Sequence, residues 1–272
     1  MKPAAPFAQQ FAARTAMGTW TQVADAYLID MLGRAGFDFT ILDCEHGALD
    51  LAALPPLVRA CEAAGMVPWA RAPRADAAWI GRALDSGVRG IVVPAAESAR
   101  LLAEVVEGAR YAPHGRRGAC PIVRSAGHLV DDWATYAARE DAAVGVVALV
   151  ETPVGVAAAD ELCSVPRLAA VMLGPFDLSV AMGVPGKLAA PEVTAALDHV
   201  IAAAHRHDLP VLVPVFSSDA DELGRQARHW LGRGATALTV GADKLFFMTA
   251  ASAGLRAASA AAALGAEARL LA

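Results

Sequence analysis

Three ionisable side chains stand together where an apolar run ends. Asp43, Glu45 and His46 follow residues 39–42 in the stretch FTILDCEHGAL. Because charge is costly to bury, a buried segment that leads directly into such residues predicts either a surface turn or a site. An unperturbed histidine titrates close to neutral pH, so His46 suits general-base chemistry. Asp43 is a candidate to orient its imidazole.

Two further carboxylates, Glu151 in VVALVE and Asp177 in GPFDLS, also follow apolar runs. Carboxylate oxygens suit a hard divalent cation. With two protein ligands, such an ion would keep other positions for water and for a chelating 2-oxo acid. The alternative is that both residues only favour a helix start. The apolar runs immediately upstream favour the metal site.

Arg71 ends the run VPWAR and would offer a planar donor to a substrate carboxylate or to a developing enolate oxygen. A structural ion pair with a nearby carboxylate is the alternative reading. Asp85, in ALDSG, is a second candidate to orient His46, or else a surface residue at a helix end.

These side chains need a scaffold that brings strand ends together. Eight short apolar runs alternate with segments rich in alanine and leucine at helical spacing. Strict alternation implies parallel pairing and predicts one (β/α)8 barrel, a TIM barrel, over residues 1–272. A doubly wound sheet is disfavoured because no Gly-rich loop follows the first run. The predicted strands are residues 16–20, 39–43, 67–71, 90–94, 144–151, 169–174, 210–216 and 237–241.

Composition narrows the class of partner. Hydrophobic residues make up 56% of the chain and charged residues 19%, with a net charge of −5. This excludes disorder and gives no basic patch for nucleic acid, so we expect a small metabolite. Four cysteines without CxxC spacing predict reduced thiols in a cytoplasmic protein. We expect no signal peptide, and Arg256 and Glu267 interrupt the tail, residues 250–272, as a membrane span.

A Gly- and Arg-rich segment, YAPHGRRGAC at residues 111–120, precedes the fifth predicted strand. It is long enough to cover the barrel rim as a lid or to reach a neighbouring subunit. On its composition we predict a solvated basic loop.

The motifs DCEHG, WAR, LDSG, YAPHGRRG, VET and GPFDLS, in this order, resemble those of the HpcH/HpaI family of metal-dependent 2-oxo-acid aldolases. The resemblance extends from MGTW to VGADK. It implies a (β/α)8 barrel that assembles as a hexamer, with the C-terminal helix exchanged between subunits. The tail would then be an oligomerisation helix; a helix that closes its own barrel is the alternative.

The resemblance also implies an activity, the cleavage of a 4-hydroxy-2-oxo acid to pyruvate and an aldehyde. Glu151 and Asp177 correspond to ligands of a divalent cation such as Mg²⁺, Mn²⁺ or Co²⁺. His46 corresponds to the base or water-activating residue. Arg71 corresponds to the residue that holds the pyruvyl unit and stabilises its enolate.

Further positions follow from the same resemblance. Asp43 and Asp85 would support His46, and the backbone around Gly174 and Phe176 would face the substrate carboxylate. Leu149 stands where family members commonly carry glutamine, which removes a polar group from the barrel mouth. Phe176 is larger than the alanine often found there and would narrow the pocket.

Two other functions remain open at this point. Oxaloacetate decarboxylation would use the same metal and the same enolate. A barrel that binds a 2-oxo acid without turnover is the other, with Leu149 as the sign of lost chemistry. Glu45 is left with two readings, contact with metal-bound water or support of its own loop.

Overall fold

Eight parallel strands close into one barrel in the computed structural model, which describes residues 6–11 and 14–270. Each strand pairs with the next along the chain, and the last pairs with the first. The predicted (β/α)8 barrel is confirmed, and each predicted strand end lies within one residue of the observed end. The strands are β1 (Ala16–Thr21), β2 (Phe39–Asp43), β3 (Val67–Arg71), β4 (Gly90–Val93), β5 (Gly145–Val150), β6 (Ala170–Leu173), β7 (Val211–Val215) and β8 (Ala237–Ala242).

Helices follow the strands and surround the barrel. Several begin at a side-chain cap; Asp25, for example, accepts hydrogen bonds from the backbone N–H groups of Tyr27 and Leu28. Within the described residues the α-helices are α1 (Ala26–Ala35), α2 (Leu54–Ala63), α3 (Ala77–Asp85), α4 (Ala99–Gly108), α5 (Trp133–Ala143), α6 (Pro153–Ala157), α7 (Ala159–Cys163), α8 (Pro175–Ala181), α9 (Pro191–Arg206), α10 (Ala220–Gly232) and α11 (Asp243–Leu270).

Apolar side chains fill both faces of the strands. One cluster lies between strands and helices, and a second fills the barrel interior. Strands that are buried on both faces need continuous apolar runs, which is why these segments could be recognised in the sequence. Inside the barrel, the Phe39 and Trp69 rings stack with centroids 4.3 Å apart.

A short 3-10 helix, Phe7–Phe11, closes the end of the barrel where the strands begin. The Phe7 ring is buried and lies 5.0 Å from the Trp69 ring, measured between centroids. A Cβ atom on Gly145 would come within 2.4 Å of the Phe7 ring, so glycine is needed at that position. The opposite end of the barrel, where the strands finish, remains open for a site.

Most of the segment at residues 111–120 is exposed, as its composition predicted, but Arg117 is not. The Arg117 side chain is 1% exposed and donates a hydrogen bond to Asp85 at 2.8 Å. Its guanidinium also lies over the Tyr111 ring, 4.6 Å from the centroid. Arg110 donates to backbone carbonyl groups, including that of Val144 at 2.7 Å. Paired charges and aromatic contacts allow these arginines to be buried, which a count of charges does not show.

Helix α11 starts inside the fold and then runs along the surface. The Asp243 carboxylate accepts hydrogen bonds from the backbone N–H groups of Gln22 and Val23. Further along, Phe247, Met248 and Leu255 are exposed, by 68%, 58% and 71%. This leaves an apolar helix face without a partner among the described residues.

By length and composition, Asp243–Ala262 is one helix apolar enough to cross a membrane, with a mean hydropathy of 1.2. The charged residues of the tail, residues 250–272, predicted that it could not do so. The difference arises because the apolar window begins seven residues earlier and ends before Glu267. Residues 271–272 of the tail lie outside the described residues.

Candidate active site

A cavity of about 520 Å³ opens at the end of the barrel where the strands finish. It brings together seven of the residues that the sequence singled out. They are His46, Arg71, Leu149, Glu151, Gly174, Phe176 and Asp177. They come from β2, β3, β5 and β6 or from the segments that follow these strands, as expected for a barrel of this kind.

Arg71 is held by a two-point ion pair at the base of the cavity. Its Nε donates to Asp43 Oδ1 at 2.9 Å, and its Nη2 donates to Asp43 Oδ2 at 2.7 Å. The Asp43 side chain is fully buried and that of Arg71 is 9% exposed. The Trp20 ring lies against the guanidinium, which is 4.6 Å from the ring centroid. Asp43 and Trp20 therefore fix the guanidinium plane before any ligand binds.

The charge on Asp43 is strongly favoured despite its burial. Burial alone would raise the pKa of this carboxyl, but the hydrogen bonds and charge of Arg71, with a hydrogen bond from Gln22, hold it below its ordinary value. The Gln22 amide donates to Asp43 Oδ2 at 2.8 Å. Neighbouring charges also raise the pKa of Arg71 above its ordinary value, against the effect of its own burial. The pair therefore stays ionised over the neutral range.

Asp43 does not support His46 in the way that was expected. Its Oδ1 accepts hydrogen bonds from the backbone N–H groups of Glu45 at 3.1 Å and His46 at 3.2 Å. Both carboxylate oxygens are already occupied by Arg71, so no hydrogen bond to the His46 imidazole is formed. Asp43 instead shapes the turn that places the exposed imidazole in the cavity.

Glu151 is a buried carboxylate at the end of β5. Its Oε1 accepts a hydrogen bond from the backbone N–H of Ala95 at 2.7 Å. Burial raises its pKa to about 7, with smaller contributions from the charges of Asp177 and Glu45. Ala95 has a φ of 45°, a strained conformation for a residue with a side chain, and this turns its N–H toward Glu151.

Gly174 allows the ends of β5 and β6 to come close together. A Cβ atom at this position would lie 2.4 Å from Glu151 Cβ and 3.1 Å from Glu151 Oε2. Any larger residue would push Glu151 away from its place. Asp177 follows in the first turn of α8, and it is exposed in the same cavity. The glycine in GPFDLS is thus explained by close packing against the carboxylate.

Glu45 is the third carboxylate of this group. Its Oε2 lies 3.1 Å from Arg71 Nη1, but the two groups are not aligned for a hydrogen bond, and this buried oxygen has no donor. Burial raises the pKa of Glu45, while the charge of Arg71 opposes that effect and the charge of Asp177 adds to it. Glu45 therefore lies beside Arg71 and close to Asp177, although it is not among the residues that line the cavity.

These residues fit a divalent cation with few protein ligands. Glu45, Glu151 and Asp177 repel one another, and the buried Glu45 oxygen lacks a donor, so added positive charge or ordered water would stabilise the group. No cluster of three or more His, Cys, Asp or Glu side chains with metal-binding geometry occurs in residues 6–11 and 14–270. A cation bound by two carboxylates would fill its other positions with water or substrate.

Asp85 is not brought to the site within this chain. It ends α3, the helix that leads from β3 back to the start of β4, so it lies toward the opposite end of the barrel. There it pairs with Arg117 and lines a separate cavity of about 320 Å³. The expected support of His46 by Asp85 is therefore not observed in the chain.

Several contributors were missed by the sequence reasoning. Trp20 and Gln22 come from the end of β1, and the run TWTQ does place an aromatic and a polar residue at a predicted strand end. Asp243, directly after β8, accepts a hydrogen bond from the backbone N–H of Gln22, whose side chain donates to Asp43. Ala95 acts through its backbone, so its residue type carried no signal.

We predict that Asp43→Ala lowers the free energy of unfolding by about 3–5 kcal/mol, because it leaves the buried Arg71 guanidinium without its counter-ion. Urea unfolding at fixed protein concentration measures this. The control is Asp30→Ala, which removes an exposed carboxylate paired with Arg34 four residues on and should cost less than about 1 kcal/mol. Equal effects of the two substitutions would contradict the anchoring role of Asp43.

Comparison with known proteins identifies the family. Residues 16–250 match the family model described as HpcH/HpaI aldolase/citrate lyase. A 5-keto-4-deoxy-D-glucarate aldolase of Klebsiella pneumoniae subsp. pneumoniae is 32% identical, over 86% of this chain and 88% of the relative.

Solved structures agree with that match. An HpcH/HpaI aldolase from Desulfitobacterium hafniense DCB-2 is 28% identical with a TM-score of 0.84, covering 93% of this chain and 96% of that one. An HpcH/HpaI aldolase/citrate lyase family protein from Burkholderia cenocepacia J2315 is 26% identical with the same TM-score, over 93% and 98% of the two chains. With its family match over residues 16–250 and its closed eight-stranded barrel, this chain belongs to the HpcH/HpaI aldolase/citrate lyase family.

Proposed function

We propose that this chain is a metal-dependent aldolase that cleaves a 4-hydroxy-2-oxo acid to pyruvate and an aldehyde. Membership of the family makes it a carbon–carbon lyase. The observation that carries the proposal is one cavity that combines a fixed guanidinium with a group of carboxylates and an accessible imidazole. A pyruvyl unit has a carboxylate that the guanidinium can bind and a pair of oxygens that can chelate a metal held by the carboxylates. The C4 hydroxyl beside it carries the proton that the imidazole would accept.

Glu151 and Asp177 are the residues that would hold the divalent cation, Mg²⁺, Mn²⁺ or Co²⁺. When bound, the cation would act as a Lewis acid that draws electron density from the 2-oxo group. Glu45 lies beside Arg71, and its charge adds to the negative charge near Glu151 that a cation would offset. The Leu149 side chain lines the cavity, and it has no polar group to form a hydrogen bond.

We assign to Arg71 the binding of the oxygen atoms of the pyruvyl unit. A guanidinium has five N–H donors; Asp43 takes two and Glu45 lies beside a third. Two donors remain for a substrate carboxylate or for the enolate oxygen. Because Asp43 and Trp20 already fix the plane of the guanidinium, no reorganisation is needed when negative charge develops.

We assign to His46 the role of the base that accepts the proton of the C4 hydroxyl. Its imidazole accepts that proton, the C4–O bond becomes the aldehyde carbonyl, and the C3–C4 bond breaks. The electron pair of that bond forms the C2–C3 double bond of the pyruvate enolate, whose oxygen faces Arg71. A proton returned to C3 completes pyruvate. Atoms and charges balance without any further reactant.

The related Klebsiella enzyme, by its name a 5-keto-4-deoxy-D-glucarate aldolase, supports aldol cleavage over decarboxylation for this chain. Oxaloacetate decarboxylation uses the same enolate and is tested beside it. A barrel that binds a 2-oxo acid without turnover lacks support, because His46, Arg71, Glu151 and Asp177 are all present in the cavity.

We also propose that the chain works as a homo-oligomer, a hexamer by the family resemblance, with α11 packed against a neighbouring copy. The exposed Phe247, Met248 and Leu255 support this. So does a cavity of about 420 Å³ between α1 and α11, lined mainly by apolar side chains such as Met31 and Phe246. A large exposed apolar face is typical of an interaction surface. A cytoplasmic location remains a prediction.

We predict that pyruvate release from a panel of 4-hydroxy-2-oxo acids stops when EDTA is added and returns with Mg²⁺, Mn²⁺ or Co²⁺. Glu151→Gln and Asp177→Asn should each lower kcat/KM by at least about 100-fold, because each removes a ligand of the cation. The control is Glu104→Gln, at a carboxylate on α4 that is paired with Arg100 outside the cavity.

Three outcomes decide this proposal. Activity that survives complete chelation, or that Glu151→Gln leaves unchanged, contradicts the metal assignment. Turnover of oxaloacetate alone moves the function to decarboxylation. No turnover of any substrate, with pyruvate still bound, favours the binding barrel.

For the assembly, we expect light scattering to give the mass of a hexamer for the full chain and a smaller mass for Leu255→Lys, which places a charge on the exposed apolar face of α11. Asp221→Lys, at an exposed position of α10, is the control and should keep the parent mass. A monomeric parent chain that floats with lipid vesicles would contradict the assembly and assign the helix to a membrane instead.

A further inference from the structure

We infer that the aldehyde half of the substrate is uncharged and apolar. This inference rests on the proposed function and adds the substrate class. It comes from an uneven distribution of side chains in the cavity, which has charged groups for the pyruvyl half and an apolar wall beyond them. The wall consists of Met172, Phe176, Leu188, Pro214 and Phe216.

Three residues of the apolar wall are open to the cavity. Phe176 is 60% exposed, Phe216 45% and Leu188 37%. Large apolar side chains that gather in a concave site mark a surface that an apolar ligand covers. Phe176 also stands directly beside Asp177 in the chain, so the apolar wall begins where the proposed metal ligands end.

Local hydrogen bonds hold this wall in place. Ser179 Oγ donates to the Phe176 carbonyl at 2.6 Å and accepts the backbone N–H of Gly186 at 2.9 Å. One buried hydroxyl thus ties the turn that carries Phe176 to the loop that carries Leu188. Phe216 follows the buried end of β7, and its carbonyl accepts a hydrogen bond from the Gln226 amide at 3.4 Å. The wall is therefore shaped before substrate arrives.

Among its described lining residues, the cavity has no cation left to pair with a second carboxylate, on the aldehyde half of the substrate. Among the described residues that line it, the charged or titratable ones are His46, Arg71, Glu151 and Asp177. Arg71 is assigned to the pyruvyl oxygens and His46 to the hydroxyl proton, and the other two are negative. The Gln226 amide, which also lines the cavity, already donates to the Phe216 carbonyl and to Glu222. An aldehyde that carries its own carboxylate would therefore lose water against Phe176 and Phe216 without a cation to pair with, which is costly. An alkyl or aryl aldehyde would instead gain by burying its surface there.

The test uses the synthetic direction and separates the two halves of the reaction. Enolate formation from pyruvate needs no aldehyde, and exchange of the C3 protons of pyruvate with D₂O, followed by NMR, measures it. The enolate carbon then adds to the aldehyde carbonyl, forming the C3–C4 bond, and the oxygen takes a proton to give the 4-hydroxy-2-oxo acid. Pentanal and succinic semialdehyde are the acceptors, similar in length but different in charge.

We expect the parent enzyme to use pentanal with kcat/KM at least about 10-fold above that for succinic semialdehyde. Phe176→Ala and Phe216→Ala should each lower kcat/KM for pentanal by about 10-fold or more, because several methylene-sized contacts are lost. In Phe216→Ala the rate of proton exchange should stay within about twofold of the parent, since the residues assigned to the enolate are unchanged. Val180→Ala, at an exposed position of α8 outside the cavity lining, is the control.

A gain of function completes the design. Leu188→Arg places a cation in the apolar wall and should raise the use of succinic semialdehyde relative to pentanal by about 10-fold. Normal proton exchange with a parent preference for succinic semialdehyde, or equal losses for both acceptors in Phe176→Ala and Phe216→Ala, would overturn this inference and leave the proposed function intact. Absence of exchange in the parent enzyme would overturn the proposed function itself.

Discussion

The ion pair between Arg71 and Asp43 is the interaction on which the site depends. Two strands, β2 and β3, deliver these side chains to adjacent positions, and two hydrogen bonds of 2.9 and 2.7 Å join them. A buried cation is tolerated only with such a partner. Asp43 in turn accepts the backbone N–H groups of the turn that carries Glu45 and His46. One carboxylate thus places a guanidinium, a carboxylate and an imidazole together.

The remaining charge at the barrel mouth is mainly negative. Among the described residues, Glu45, Glu151 and Asp177 lie close enough for their charges to interact, and burial, with smaller contributions from the charges of Asp177 and Glu45, raises the pKa of Glu151 to about 7. Proximity of like charges makes full ionisation unfavourable unless a further positive charge is supplied. A divalent cation that takes two of these carboxylates meets that need, and it leaves Arg71 free to act on substrate. The same carboxylates would therefore account both for the excess of negative charge and for the cation that the proposed reaction needs.

Much of this arrangement could be predicted from the sequence. Parallel strands buried on both faces give continuous apolar runs, so β2 and β3 were predicted to the residue, and polar residues at strand ends must meet at one rim. Pairing between side chains could not be predicted in the same way. Asp43 was expected to orient the imidazole of His46, but the neighbouring strand brings Arg71 to both of its oxygens. Arg117 was expected in solvent, yet Asp85 and Tyr111 bury it, because contacts between distant segments depend on packing.

We propose that Glu151 and Asp177 hold a divalent cation beside Arg71, which binds the pyruvyl group. The most direct test is a crystal structure with Mn²⁺ and oxalate, a stable analogue of the pyruvate enolate, with the metal located by its anomalous scattering. We expect one Mn²⁺ bound by Glu151 and Asp177, with oxalate in contact with both the metal and Arg71. Mn²⁺ bound by other residues, or oxalate bound away from Arg71, would contradict it.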